Sequence, residues 1–209
     1  GTCHAWLQAG GRPQQPGQVV QECGVGLVRL RQDGTRLAFA APPRTTSGPL
    51  DEQDVALIAR GLQVPRSSIV AHAWCDNGPR WRGVLLQSAE QVLALRPDAA
   101  VLAGLDVGVV GPRGKVGVVG KTGAACPADS HGENAGTREG LRQADTGTDT
   151  EINTDTDTIA FEVRAFLPGH SGLMEDPVTG SLNAALAQWL IGAGIAPPRY
   201  TASQGTVLG

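Results

Sequence analysis

The sequence predicts an α+β fold in which mixed or antiparallel sheets curl around central helices, one helix in each half of the chain. Three observations carry this. From Leu182 to Ile191 only Asn183 and Gln188 are polar, and a helix that is apolar on all sides must be enclosed rather than laid on a surface. Residues 18–32 and 35–41 read as two strands with loose alternation of Leu27, Arg29 and Arg31 against Val28, Leu30 and Gln32, joined at Asp33-Gly34, a favoured tight turn. Finally, Gly1-Thr2-Cys3-His4-Ala5-Trp6-Leu7 echoes Gly180-Ser181-Leu182-Asn183-Ala184-Ala185-Leu186, and both runs close on glycines, as in a duplicated unit.

The elements follow in order. A short first helix stops at Gly10-Gly11, and the hairpin just described follows it. Pro42, Pro43 and Pro49 then make an irregular connection to a helix led by Asp51, Glu52 and Asp54, whose Val55, Ile58, Ala59 and Leu62 share one face. Residues 67–75 read as a strand, Asp76-Asn77-Gly78-Pro79 as a turn at the domain boundary, and Trp81 to Leu86 as the next strand. Ser88 and Gln91 have capping-box spacing for a short helix that Pro97 halts, and Asp98 can cap another turn. Val107 to Val110 and Lys115 to Val119 read as two strands. The glycines from Gly104 to Gly120 lack dinucleotide-loop spacing and no helix follows them, which excludes a Rossmann reading. From about 128 to 158, Asp and Thr alternate with almost no apolar residues, so a solvated, disordered insertion between two strands is expected there. Its carboxylates do not have the register of a calcium loop. His170 falls in a loop beside the late helix.

Composition bounds the function. The chain of 209 residues is 41% hydrophobic and carries 17 Lys and Arg against 20 Asp and Glu, a formal net charge of -3. Such a chain can bury a sizeable core and offers no basic footprint for nucleic acid. No apolar run has the length of a membrane span. Cys3, Cys23, Cys75 and Cys126 have no paired spacing, which suits reduced thiols and a cytoplasmic location better than a disulfide framework. His72 and Cys75 lack the further ligands that zinc needs, so no metal is expected, and His72 reads as a strand residue.

Chemistry can sit where the late helix begins, in Glu175-Asp176-Pro177-Val178-Thr179-Gly180-Ser181. Asp before Pro is a natural N-cap, with Thr179 or Ser181 as the cap if the helix starts later. In either case the N–H groups of Gly180 and Ser181 would point out of the helix end and favour a small anion such as a carboxylate. The same residues also read as plain caps, since Asp, Ser and Thr are the default cap residues.

The run from Glu175 to Ser181 entering an apolar helix, the preceding Phe161 to Gly169, the mid-chain Asp76-Asn77-Gly78-Pro79-Arg80-Trp81 and the late Gln204-Gly205 resemble the phenazine-biosynthesis PhzF-like family, similar in fold to diaminopimelate epimerase. The resemblance covers nearly all of the chain outside about 128–158. It implies two pseudo-symmetric domains, each a sheet curled around a central helix, which we place at 1–76 and 77–209, with a cleft where the two helix starts face each other. It also implies a cofactor-free isomerase that moves a proton within a small carboxylate metabolite. By that resemblance Asp176 is the catalytic acid/base of the second domain, Gly180 and Ser181 hold the substrate carboxylate, and Gln204 and Gly205 border the cleft. The related epimerase uses cysteines as acid and base, and Asp176 stands where a thiol would be expected, which argues for carboxylate-mediated isomerisation.

The family's catalytic Glu and its Gly-His-Pro align upstream of Gly1. The chain therefore reads as a fragment, expected to be inactive alone. Leu182-Asn183 replaces the Ala-His often found after the family's Gly-Ser. The expected partner is a small carboxylate, not nucleic acid or membrane, with a homodimer left open. A non-catalytic carboxylate-binding protein and a purely structural role are the alternative readings.

Overall fold

The computed structural model describes residues 2–24, 26–34, 36–114, 158–170 and 172–209, and the chain forms two compact units, Gly1–Pro43 and Arg44–Gly209. The smaller unit holds helix α1 (Thr2–Gln8) and an antiparallel sheet of β1 (Gln18–Cys23), β2 (Gly26–Asp33) and β3 (Arg36–Phe39). The stretch expected as one strand over 18–32 is two, because the chain reverses at Gly24 and Cys23 pairs with Gly26, which has φ +98°. Only glycine adopts such a backbone without strain. The expected turn at Gly34 is present, with Asp33 paired to Arg36. Within α1 only Cys3 is buried, and Trp6 is 42% exposed. The first helix is thus not enclosed by this unit, whose three strands are too few to wrap it.

In the larger unit the sheet order is β4 (Ile69–Asp76), β5 (Arg80–Leu86), β6 (Val107–Pro112), β7 (Ile159–Gly169) and β8 (Gly172–Asp176), with β9 (Thr201–Gln204) also paired to β7. β4 and β5 pair antiparallel down to Asp76 and Arg80. The turn expected at a domain boundary therefore closes a hairpin inside one sheet, and the division between units falls at Pro43–Arg44. Asp-Asn-Gly-Pro signals a chain reversal, and a reversal looks the same locally whether or not a domain ends there. β5 and β6 are parallel and joined through α3 (Ala89–Ala94), since parallel neighbours need a crossover. The expected insertion lies between β6 and β7, and that stretch, the strand expected at Lys115 to Val119, Cys126 and the clustered carboxylates fall outside the described residues except Thr158.

Helices cover both faces of this sheet. On one, α2 (Glu52–Gly61) and α3 pack Val55, Ile58, Ala59 and Val92 against Val84, Leu86, Val107, Val109 and Phe166. Ser88 caps α3 as expected, accepting from the N–H of Gln91 at 3.4 Å, and Asp51, expected only as one of the acids leading α2, is its cap and accepts from the N–H of Asp54 at 2.7 Å. On the other face lies α4 (Gly180–Gly192), where Leu182, Ala185, Leu186, Trp189 and Leu190 are buried and no residue from Ser181 to Ile191 is exposed. Gly83 and Gly108 pair side by side in the sheet beneath it. A Cβ at Gly108 would run into Leu182, and one at Gly83 would reach Cys75 Sγ at 2.8 Å and Trp189 at 3.1 Å, so the two glycines let α4 seat closely.

Both α1 and α4 end with a left-handed glycine, Gly10 (φ +88°) and Gly194 (φ +69°). The next amide returns five residues in each case, Gly11 to the Trp6 carbonyl and Ile195 to that of Leu190. This is the Schellman motif, but α2 ends the same way through Gln63 (φ +57°), so the motif alone does not mark a duplication. Among the described residues no helix is long and apolar enough to cross a membrane.

Candidate active site

The central strand β7 brings the site together. Its Ala165 pairs with Asp176, the last residue of β8, and its Val163 pairs with Gln204, the last residue of β9. Two short strands thus arrive at the same edge of β7 and end two positions apart. From there the chain leaves β8 through Pro177 and Val178 into α4. Gly205 (φ +85°) lies against this connection, and a Cβ there would sit 2.9 Å from the Pro177 carbonyl oxygen, so glycine is required by both backbone and space.

Thr179, 6% exposed, is the N-cap residue of α4, and neither Asp176 nor Ser181 takes that place. Its hydroxyl makes no bond to the helix amides and donates instead to Asp176 Oδ2 at 2.7 Å. Gln204 holds this arrangement. Its Oε1 accepts from the Thr179 N–H (3.2 Å) and from Asn183 Nδ2 (2.7 Å). Its Nε2 donates to the Asp176 carbonyl (2.7 Å) and to Thr179 Oγ1 (2.9 Å). A glutamine amide has two donor hydrogens and two acceptor lone pairs, and all four positions are used here. Gln204 therefore enters as a brace on the loop and not as an open donor.

The first intrahelical bond of α4 runs from the Asn183 N–H to the Thr179 carbonyl at 3.1 Å. The amides of Gly180, Ser181 and Leu182 precede it and are the donors every helix start leaves without an intrahelical acceptor. Asn183 Nδ2 also donates to the Thr179 carbonyl at 3.0 Å, so this side chain is folded back onto the loop.

A third segment closes on the helix start from the β4–β5 turn. Trp81 Nε1 donates to Ser181 Oγ at 3.1 Å, and Asn77 Nδ2 donates to the Ser181 carbonyl at 2.8 Å. Because Ser181 Oγ accepts from the indole, its own O–H is left to donate elsewhere. The turn is held by Asp76, which accepts from the Gly78 N–H (3.0 Å) and the Thr46 hydroxyl (3.1 Å). Burial opposes ionisation of Asp76, but hydrogen bonds from Gly78, Thr45 and Thr46 and the charge of Arg80 outweigh it and hold its carboxyl below the usual range.

The expected residues thus converge: Asp176, Gly180, Ser181, Gln204 and Gly205 all lie at or against the start of α4. Sequence reading did not single out Thr179 as the hub, nor Asn183 as its second brace. The available signal was their spacing of four, which places them one turn apart on a helix start. Asn77 and Trp81 stood in a motif quoted for the family resemblance, without a role. His72 lies in β4, where its Nδ1 accepts from the Leu50 N–H at 3.2 Å, and Cys75 is buried in the core with its thiol pushed up to about 12 by burial. No group of three or more metal-ligating side chains occurs among the described residues.

No protein-family model matches the sequence, and no curated protein matches it significantly. Solved structures do match in fold. A phenazine biosynthesis protein of the PhzF family from Bacillus anthracis superposes with a TM-score of 0.58 at 12% identity, over 100% of this chain and 62% of that one. A PhzF-family protein from Enterococcus faecalis gives a TM-score of 0.54 at 14% identity, over 90% of this chain and 52% of that one. The chain spans between half and two thirds of the length of these structures. It has the α+β fold of the PhzF-family structures, which is the diaminopimelate-epimerase-like fold.

Proposed function

We propose that the start of α4 is the substrate site of a cofactor-independent isomerase of the PhzF type, which shifts a proton within a small carboxylate metabolite in the intact parent protein. The observation that carries this reading is the Asp176–Thr179–Gln204 network, which fixes a half-buried carboxylate four residues before Gly180, the first of the α4 amides without an intrahelical acceptor. The amides of Gly180 and Ser181 and the Ser181 hydroxyl hold the substrate carboxylate, aided by the positive end of the helix dipole.

Asp176 exchanges a proton with the substrate carbon skeleton. One C–H bond breaks, its electron pair moves along the skeleton, and a C–H bond forms at another carbon, so no electron acceptor is needed. Thr179 donates a hydrogen bond to Oδ2 of Asp176 and so orients the carboxylate, while Oδ1 has, among the described residues, a long contact of 3.4 Å from the Val178 N–H. Positioned acid/base groups of this kind contribute on the order of 10² to 10⁴ in rate. By the family resemblance a glutamate supplies the second group.

The test is wash-in of solvent deuterium to a panel of small unsaturated and hydroxylated carboxylates, followed by mass spectrometry with the intact parent protein. Asp176→Asn should abolish deuterium incorporation while carboxylate binding survives, and Gly180→Val should abolish both. Incorporation unchanged in Asp176→Asn would overturn the reading, and binding without any incorporation would favour a carboxylate-binding protein on the same fold.

A further inference from the structure

Both strands that deliver the site are short, and their own sequences specify their register weakly. β9 is Thr-Ala-Ser-Gln, and β8 is Gly-Leu-Met-Glu-Asp with Met174 48% exposed. A one-residue slip would send every side chain to the opposite face of the sheet, and with it Asp176 or Gln204. What opposes a slip lies on the face of β7 away from α4. There Arg164, 4% exposed, grips Glu175 through two parallel bonds, Nε to Oε1 at 2.8 Å and Nη2 to Oε2 at 2.6 Å. Its Nη1 donates to the carbonyls of Val92 and Leu95 at the end of α3, at 3.2 and 3.0 Å. Two positions earlier, the fully buried Glu162 accepts through Oε2 from the Ser203 hydroxyl and from Arg113 Nη2. Glu175 immediately precedes Asp176, and Ser203 immediately precedes Gln204.

We propose that Arg164 and Glu162 are positioning residues for the site, each clamping the residue before a site residue and so setting the register of β8 and β9. This rests on the functional reading above for its meaning, though not for its geometry. Stability does not account for the pair. Replacing a buried, hydrogen-bonded ion pair by apolar residues of similar size is often neutral or stabilising, and the fully buried Glu162 carboxylate carries a desolvation cost that opposes folding. A bidentate clamp, in contrast, fixes direction as well as distance. Hydrogen bonds from Ser203, Arg113 and Thr206 overcome the effect of burial and keep the Glu162 carboxyl below its usual range, so the clamp stays charged at neutral pH.

The experiment is hydrogen exchange of the Gln204 side-chain amide, followed by NMR in the 209-residue chain and assigned by its loss in Gln204→Leu. Two variants are compared with the parent chain, the double substitution Arg164→Met with Glu175→Met, and the single Ser203→Ala. The result expected is a melting temperature held within a few degrees and a Gln204 amide that exchanges at least tenfold faster in each variant. Val55→Ala, which weakens the core under α2 and has no hydrogen bond to either clamp, should lower the melting temperature and leave the Gln204 exchange rate relative to global opening unchanged. Should the double variant fail to fold, Ser203→Ala decides alone. Parent-like protection of Gln204 in a folded variant would overturn the proposal. Titration with acetate, read at the Gly180 and Ser181 amides of the parent chain, separates the two readings: absence of acetate shifts with an intact network counts against the carboxylate site and leaves the clamps standing.

Discussion

Gln204 and Thr179 meet at two points, the Thr179 N–H on Gln204 Oε1 at 3.2 Å and Gln204 Nε2 on Thr179 Oγ1 at 2.9 Å. A strand at the end of the chain is thereby locked to the cap of α4. The Thr179 hydroxyl passes the constraint on to Asp176, so the orientation of that carboxylate depends on a residue 28 positions away.

Gln204→Leu removes an acceptor for Thr179 and Asn183 and a donor for Asp176 and Thr179 at once. Leaving buried partners unsatisfied costs about 1–3 kcal/mol, and a loss in that range is expected from urea denaturation. A loss below about 0.5 kcal/mol, the usual range for surface substitutions, would mean that water replaces the amide without penalty.

Gly111 and Gly108 make a contrasting pair in β6. A Cβ at Gly111 would lie under 3.0 Å from the Ser88 carbonyl, which is backbone at the cap of α3, whereas one at Gly108 would meet the side chain of Leu182. Overpacking typically costs about 1–3 kcal/mol. We expect Gly111→Ala to be the more destabilising by thermal unfolding, and Leu182→Ala to offset part of the Gly108→Ala loss in a double-mutant cycle. Additive losses in that cycle would show that α4 shifts as a whole to make room.

His72 predicts an acid-sensitive window. Burial first, then the charge of Arg66, hold its pKa below the usual 6.5, with Glu52 opposing. Its Nδ1 can accept from Leu50 only when that nitrogen is unprotonated. A folded pKa below the unfolded one means that between the two values only the unfolded chain binds the proton. The contribution is therefore fully present above about pH 6.5 and is lost as pH falls from there through the lower folded value. Denaturation midpoints measured across this window should fall with pH in the parent chain and fall less in His72→Gln.

Trp81→Phe tests the ordering of the Ser181 hydroxyl. Trp81 is 2% exposed and gives Ser181 Oγ its donor, and Phe retains most of the apolar contact. A stability loss of about 1 kcal/mol is expected from the missing hydrogen bond. Weaker acetate shifts at the Ser181 amide should accompany it, because the hydroxyl is then free to accept in place of donating. Unchanged shifts would assign anion binding to the backbone amides alone.

The sequence by itself determined the elements whose signals are local. The apolar run of α4 demanded burial on every side, and Ser181 to Ile191 are nowhere exposed. The acids from Asp51 and the cap at Ser88 announced their helices, and Gly194 stops α4 because a left-handed residue ends a helix with the least strain when it is glycine. The solved structures with the same fold agree with the α+β reading. What only tertiary structure decided was long-range pairing. Nothing near residue 204 indicates that its strand lies beside β7 two positions from the end of β8, nor that the Asp76 turn closes a hairpin in the same sheet and sends Trp81 to Ser181. Gln204 was legible as a residue bordering the site, whereas its role as a brace was not. Hydrogen-bond partners 25 and 28 residues distant are set by strand register, and register belongs to the assembled sheet and not to any one strand.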